Sequence, residues 1–405
     1  MSGSVRFDVR RIGDIAVIGS GTTPARAKAS RYFSEAGHAW VKTGDLNNSV
    51  ILTTNEKITD AAVYEANCTL YPAGTLLVAM YGGYKQIGRT GLLASPAAVN
   101  QAISAVQLDI AIAVPAFVQQ YLNHAVEDWK RFAASSRKDP NITRSDVQGF
   151  RVPLPPLSEQ RKIVEILRSW DDAIEKAERH RHHKGERNRS LITRLIAAGH
   201  DAHSTPLARF VRPITAKNTI SETRVLTSSA ARGLVDQRAY FKKGIASVDL
   251  SGYYLLERGD FAYNRSSSIN SPFGAIRRLN EYSHGVISTL YICFRHTNDE
   301  LADADFLDHL LRSGYLDRQL ALITHEGARN HGLLNIAKDD FFELTAPLPP
   351  IRVQRQIASA LDERARELAL LDREIELLRT QKRGLMQKLL TGEIRVNSNE
   401  EAGND

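Results

Sequence analysis

Four stretches of the chain concentrate side chains able to read or grip a polar polymer. Tyr81, Tyr84, Lys85 and Gln86 flank Gly82-Gly83, and Ser135, Ser136, Arg137 and Lys138 form a second run. Asn264, Arg265, Ser266 and Ser267 make a third, and His325, Arg329, Asn330 and His331 a fourth. Arg, Lys, Asn, Gln and Ser hydrogen-bond to base edges and to phosphate oxygens, which makes these runs candidate DNA-reading loops. Each residue taken singly reads more readily as part of an ordinary solvated loop. The four sets together carry the expectation.

Catalytic patterns are missing by contrast. Residues 19–28 have glycines but not the Gly-x-x-x-x-Gly-Lys-Ser/Thr spacing that cradles a nucleotide phosphate. Asp139-Pro140-Asn141 lacks the second proline and the aromatic residue with which adenine methyltransferases hold a flipped base. No Gly-x-Gly-x-x-Gly follows a strand-like run, and His182 and His183 have no companions at metal-ligand spacing. Cys68 and Cys293 are far apart, which argues against a disulfide framework and fits a reducing compartment. The expectation is a chain with no catalytic residues, no metal and no cofactor of its own. A net charge of +7 favours a polyanionic partner. The first eleven residues are polar, and the longest apolar run, residues 110–118, contains Pro115 and is too short to span a bilayer. A soluble cytoplasmic protein is expected.

These loops sit in a chain that is written twice. Pro153-Leu154-Pro155-Pro156 recurs as Pro347-Leu348-Pro349-Pro350, and one constant offset aligns Asn141-Ile142 with Asn335-Ile336, Gln160-Arg161 with Gln354-Arg355, Ile163 with Ile357, Leu167 with Leu361, and Leu191 and Leu195 with Leu385 and Leu389. A gapless match at a period near half the chain implies internal duplication. Each copy reads as a mixed α/β (α+β) segment, a proline clamp and a long helix. The expected layout is a first mixed domain at 1–156, a helix at 157–199, a second mixed domain at 200–350, a helix at 351–393 and a disordered acidic tail at 394–405. Strand-like runs fall at 75–80, 102–108 and 286–294, and helical patches at 116–132 and 304–323.

The two long segments repeat their apolar residues at three- and four-residue steps. Ile163, Leu167, Trp170, Ile174, Leu191 and Leu195 mark one seam; Ile357, Leu361, Leu368, Leu371, Ile375, Leu378, Leu385 and Leu389 mark the other, interrupted by Lys382. The expectation is two long coiled-coil helices, the first roughly 60 Å long, and a molecule with an internal pseudo-two-fold repeat. The first seam breaks at residues 179–189, where Arg181 and Lys184 replace Ile375 and Leu378. That basic stretch reads either as a solvated helix middle or as a cationic stripe facing DNA or an acidic partner.

Two variable α/β segments, each followed by Pro-Leu-Pro-Pro, Gln-Arg-x-Ile and a long amphipathic helix, resemble the specificity subunit of type I restriction-modification systems. Gly19-Ser20-Gly21-Thr22-Thr23-Pro24, Trp40 to Leu46, Asn100-Gln101-Ala102-Ile103 and Thr391-Gly392-Glu393-Ile394 resemble elements of the same family. The resemblance implies that each domain is a target recognition domain reading half of a split, asymmetric site in double-stranded DNA, and that the two helices pack antiparallel and set the unread spacer. It also implies two methyltransferase subunits using S-adenosylmethionine and two motor-endonuclease subunits using ATP and Mg, with all cofactors on those partners and no membrane association. Two rival readings are a single-chain restriction or methylation enzyme and a structural coiled-coil protein with no DNA role.

Overall fold

The computed structural model describes residues 7–83, 85–133, 141–198, 203–229, 233–240, 249–268, 271–324 and 332–396. The chain divides into two units, one made of Met1–Ala177 with Glu374–Asp405 and the other of Glu178–Arg373.

In the first unit, β1 (Ala16–Ser20), β2 (Ser49–Ile51), β3 (Leu76–Ala79), β4 (Thr90–Leu93) and β5 (Ile103–Leu108) form one sheet in the order β1-β5-β3-β4-β2. All pairs are antiparallel except β4 with β2. Strand β3 is Leu-Leu-Val-Ala, apolar at every position, because both its faces are covered. Leu76 and Val78 join the core under helix α1 (Pro115–His124) and Trp129, whereas Leu77 and Ala79 pack toward Val41, Tyr71 and Val99 of a second sheet. The two sheets approach so closely that a Cβ at Gly21 would stand 1.8 Å from the Val99 carbonyl oxygen. Only glycine fits there. Helix α2 (Arg144–Gly149) is capped by Thr143, with Asp146 closing the capping box. Helix α3 (Leu157–Ala198) starts immediately after Pro155-Pro156.

The second unit builds β6 (Val211–Pro213), β7 (Phe261–Asn264), β8 (Ala275–Arg278) and β9 (Ile292–His296) in the order β6-β9-β7-β8, matching β1-β5-β3-β4. Its core is richer in aromatics, with Phe261 stacked on Phe294 at 5.2 Å and Tyr263 on Phe341 at 5.1 Å. Helices α4 (Ala304–Arg312), α5 (Lys338–Glu343) and α6 (Ile351–Leu390) complete it, with part of α6 belonging to the first unit.

Some boundaries depart from the sequence reading. The run 286–294 is not one strand: a turn closed by Tyr291 N–H donating to Ser288 O separates His284–Ile287 from β9, and the two strands lie in different sheets. The patch 304–323 is two helices, α4 and Asp317–Ile323, because Gly314 turns left-handed at φ +81°. The patch 116–132 likewise breaks at Ala125, between α1 and Val126–Ala133. The tail was expected to begin at 394. Instead Arg395 chelates the Glu159 carboxylate through Nε and Nη2, and Val396 N–H donates to the same group at 3.0 Å. Residues 397–405 lie outside the described residues.

Each long helix is fastened at its first turn in the same way. Gln160, fully buried, donates from Nε2 to Pro155 O (2.8 Å) and Ile112 O (3.1 Å), and its Oε1 accepts from Val114 N–H (2.7 Å). Gln354, also fully buried, donates to Pro349 O (2.8 Å) and Leu301 O (3.0 Å) and accepts from Asp303 N–H (2.8 Å). Val114 and Asp303 are the N-cap residues of α1 and α4. One side chain thus satisfies backbone groups of the proline clamp and of a neighbouring helix start, groups that burial would otherwise leave unpaired.

Within the first unit, Ile163 and Leu167 of α3 share a core with Leu389 and Leu390 of α6, with Leu385 and Met386 packed against it. Trp170 and Ile174 are half-buried, Ile375 is buried, and Leu378 is half-buried. Lys382, the interruption of the α6 seam, pairs with Asp171 of α3. Glu159 is 4% exposed; burial raises its pKa, but Arg395 and the Val396 N–H outweigh burial and hold the carboxyl below the usual range.

Within the second unit, Ile357 and Leu361 of α6 are core residues, Leu191 of α3 packs against them, and Leu368 and Leu371 are half-buried. The side chain of Leu195 lies outside the described residues. The helix runs unbroken through residues 179–189. Arg181 makes a two-pronged pair with Asp372 (2.8 and 3.1 Å), Lys184 pairs with Glu367, and Arg364 donates to Asn188 at 3.2 Å. Part of the basic stretch therefore faces acids of α6, while His180, His182 and His183 are exposed.

Candidate nucleic-acid interface

A base reader needs polar heads on loops whose roots are rigid. In the first unit the turn from β3 to β4 carries Tyr81, Lys85 and Gln86. Tyr81 and Lys85 are exposed. Gly82 and Gly83 take φ of +112° and +76°, and Gly83 O accepts from both Gln86 N–H and Ile87 N–H, so the tip is a tight turn pinned by buried Ile87. Gln86 Oε1 is buried without a partner among the described residues. Tyr84 and residues 135–138 lie outside the described residues, but the far side of the second loop is placed. Ile142 N–H donates to Met80 O at 3.0 Å, at the root of the first loop.

The second unit repeats the device. Asn264 ends β7 and Arg265, Ser266 and Ser267 follow it, with both serines exposed. Asn264 Oδ1 accepts from Ser266 N–H at 3.0 Å, folding the loop back on the strand end. Arg265 donates from Nε to Leu290 O at 2.8 Å, which fixes the guanidinium and leaves its terminal nitrogens without a partner among the described residues. His325, Arg329, Asn330 and His331 lie outside the described residues. The segment that follows them is fastened to the first loop: Leu334 N–H donates to Arg265 O (2.9 Å) and Ser267 N–H to Gly332 O (2.7 Å). In each unit, two sequence-distant polar loops therefore share one root at the end of a central strand.

Cations not singled out in the sequence follow these anchors closely in the chain, as Arg144 and Lys338 do, or share a tyrosine with one that does, as Lys217 does. Lys338 is the first residue of α5, just after the Gly332 anchor, and its Nζ donates to Tyr254 Oη at 3.0 Å. Lys217 Nζ sits 4.2 Å over the Tyr254 ring and donates to Gly252 O at 2.9 Å. Two ammonium groups thus converge on one tyrosine. Arg144, at the aligned position of the repeat, opens α2 and reaches Ile18 O. The shared positive charge of Arg144 and Lys338 under the repeat offset was the signal available in the sequence. As phosphate-gripping groups, Lys217→Ala and Lys338→Ala are expected to weaken DNA binding about equally for all sequences. Each should lower the slope of log affinity against log salt by about 1. Binding isotherms at several salt concentrations check this, and an unchanged slope removes the lysines from the interface.

Among the described residues no group of three or more His, Cys, Asp or Glu side chains could hold a metal ion, and no helix is long and apolar enough to cross a membrane. Cys68 and Cys293 are buried, and burial foremost, with Asp260 nearby, pushes the Cys293 thiol up to about 12.

Fold and site together define a mixed α/β chain of two units, each with a polar loop rooted at the end of a central strand. The sequence profile of the family described as "Type I restriction modification DNA specificity domain" matches residues 4–181. The MjaIX type I restriction enzyme specificity subunit of Methanocaldococcus jannaschii is 26% identical over 177 residues, covering 42% of this chain and 39% of that one. The MjaVIII specificity subunit of the same organism is 21% identical over 423 residues, covering 96% and 93%. The crystal structure of the S subunit of a type I restriction-modification system from M. genitalium matches the fold at a TM-score of 0.53 and 14% identity, covering 96% of this chain and 97% of that one. The match to the first of these relatives thus spans well under half of its length, whereas the second aligns nearly end to end. Residues 4–181 thus match the DNA specificity domain of type I restriction-modification systems, and over nearly its whole length the chain is similar to the MjaVIII specificity subunit.

Proposed function

We propose that this chain is the DNA sequence-specificity subunit of a type I restriction-modification complex and performs no catalysis itself. Each recognition domain, 1–156 and 200–350, reads one half of a split, asymmetric double-stranded site. The helices at 157–199 and 351–393 pair antiparallel as a coiled-coil spacer, and the chain arose by internal duplication. The observation that carries the reading is the common loop root of each unit, Met80 with Ile142 and Arg265 with Leu334. Two loops on one rigid strand end can present a shared set of donors and acceptors to a groove, and different residues in the two copies would read different bases. The matching strand order and the paired glutamines Gln160 and Gln354 support the duplication.

Two methyltransferase subunits dock on the domains and helices and bring S-adenosylmethionine; two motor-endonuclease subunits bring ATP and Mg. The assembly works in the cytoplasm. The purified chain incubated with DNA and S-adenosylmethionine is expected to transfer no methyl group, and addition of its methyltransferase partner is expected to start transfer to adenine. Transfer by the chain alone would instead establish a single-chain enzyme.

A further inference from the structure

A chain with two duplicated helices has competing pairings. Helix α3 can pack against α6 of its own chain, or either helix can pack against its counterpart on a second copy. Apolar seams alone discriminate poorly, because both helices carry Ile and Leu at aligned positions. Three ion pairs between α3 and α6 do discriminate. They are Asp171 with Lys382 in the first unit, and Arg181 with Asp372 and Lys184 with Glu367 in the second.

The repeat offset states what each alternative would put in their place. Pairing α6 with a second α6 in the same antiparallel register sets Ile375 against Asp372, Leu378 against Glu367 and Ala365 against Lys382. All three pairs are lost, and each charge then lies against an apolar residue, at a desolvation cost. Pairing α3 with a second α3 sets Ala173 against Lys184 and Asn188 against Asp171, and retains only Arg181 against Glu178. The pairing within one chain satisfies every one of these charges.

We infer that Arg181, Lys184 and Lys382, with Asp372, Glu367 and Asp171, are the residues that make α3 and α6 prefer each other over a second copy of the chain. This rests on the reading of these helices as a paired spacer. The pairs are half-exposed, with side-chain exposures from 16% to 54%. Such pairs add little stability in water, so their value lies in choosing partner and register. The break in the α3 seam at residues 181 and 184 is thereby explained: apolar residues there would make α3 resemble α6 and restore the unwanted pairing.

The test uses the full chain without DNA. Light scattering across a micromolar concentration series gives its mass, and thermal unfolding gives its midpoint. The wild type is expected to remain a monomer. The variant R181I/K184L, which copies the α6 residues into α3, is expected to keep its midpoint within a few degrees and to form a concentration-dependent dimer. R181D/K184E, which sets acid against acid, is expected to lower the midpoint, and R181D/K184E/E367K/D372R is expected to restore both midpoint and monomer mass. A dimeric wild type, a strictly monomeric R181I/K184L, or a four-site swap no better than its two-site half overturns the inference. Should R181I/K184L fail to fold, the swap series still decides. Neither readout needs DNA, so a monomeric chain that directs no methylation would count against the DNA-specificity reading, whereas a failed swap series in a chain that does direct methylation would overturn this inference alone.

Discussion

Replacing Gln160 with Ala is expected to lower the stability of the first unit by about 2–4 kcal/mol, and Gln354→Ala to do the same to the second. Each substitution removes three hydrogen bonds from a fully buried site and strands a helix N-cap N–H and two carbonyls. The cost of the stranded groups dominates, because water cannot reach them to replace the lost partner. The loss is local, so the measurement is amide hydrogen exchange: protection should fall in α1 and the first turns of α3 for Gln160→Ala, and in α4 and the start of α6 for Gln354→Ala. Arg161→Ala, at the exposed next residue, should change protection by no more than about 0.5 kcal/mol. Equal effects of Gln160→Ala and Arg161→Ala would show that the glutamine is not the fastening.

Arg265→Ala is expected to weaken specific DNA binding by about 1–3 kcal/mol, roughly a five- to hundredfold loss, and to relax discrimination at one base pair. Nε is held by Leu290 O, so the planar head enters a complex already oriented, with its terminal nitrogens available for a guanine edge. Arg265→Lys keeps the charge and loses the fork, and should recover affinity for non-specific DNA without recovering discrimination. Competition binding of the assembled complex, with the target and with single-base variants of it, separates the two effects. Unchanged affinity and unchanged discrimination in Arg265→Ala would remove this loop from the reading surface.

Periodicity and the proline clamp made the long helices legible, since three- and four-residue apolar steps persist over tens of residues and a proline pair marks each start. Strand β3 was legible for a related reason: a short run buried on both faces is continuously apolar. What escaped was whatever depends on partners distant in sequence. Gln160 and Gln354 were visible as aligned residues, but their role requires Ile112, Val114, Leu301 and Asp303, which no local pattern links to them. The split of residues 286–294 into two strands of different sheets turned on one backbone turn at Ser288. Arg395 read as part of a solvated tail because its partner, Glu159, lies at the other end of the domain's sequence. At the site, Arg265 and Tyr81 could be read from residue type beside a strand end. Lys338 left one signal, the charge it shares with Arg144 under the repeat offset, whereas Lys217 left none, because only the fold brings it to Tyr254.

The central claim is that two independent readers share one chain. The most direct measurement is to map methylated adenines genome-wide in cells carrying the partner subunits and either this chain or a version whose residues 1–150 come from another family member. The account requires that one half of the methylated site change while the other half and the number of bases between them stay fixed. If both halves changed together, or the site persisted unaltered, the two units would not be separate readers.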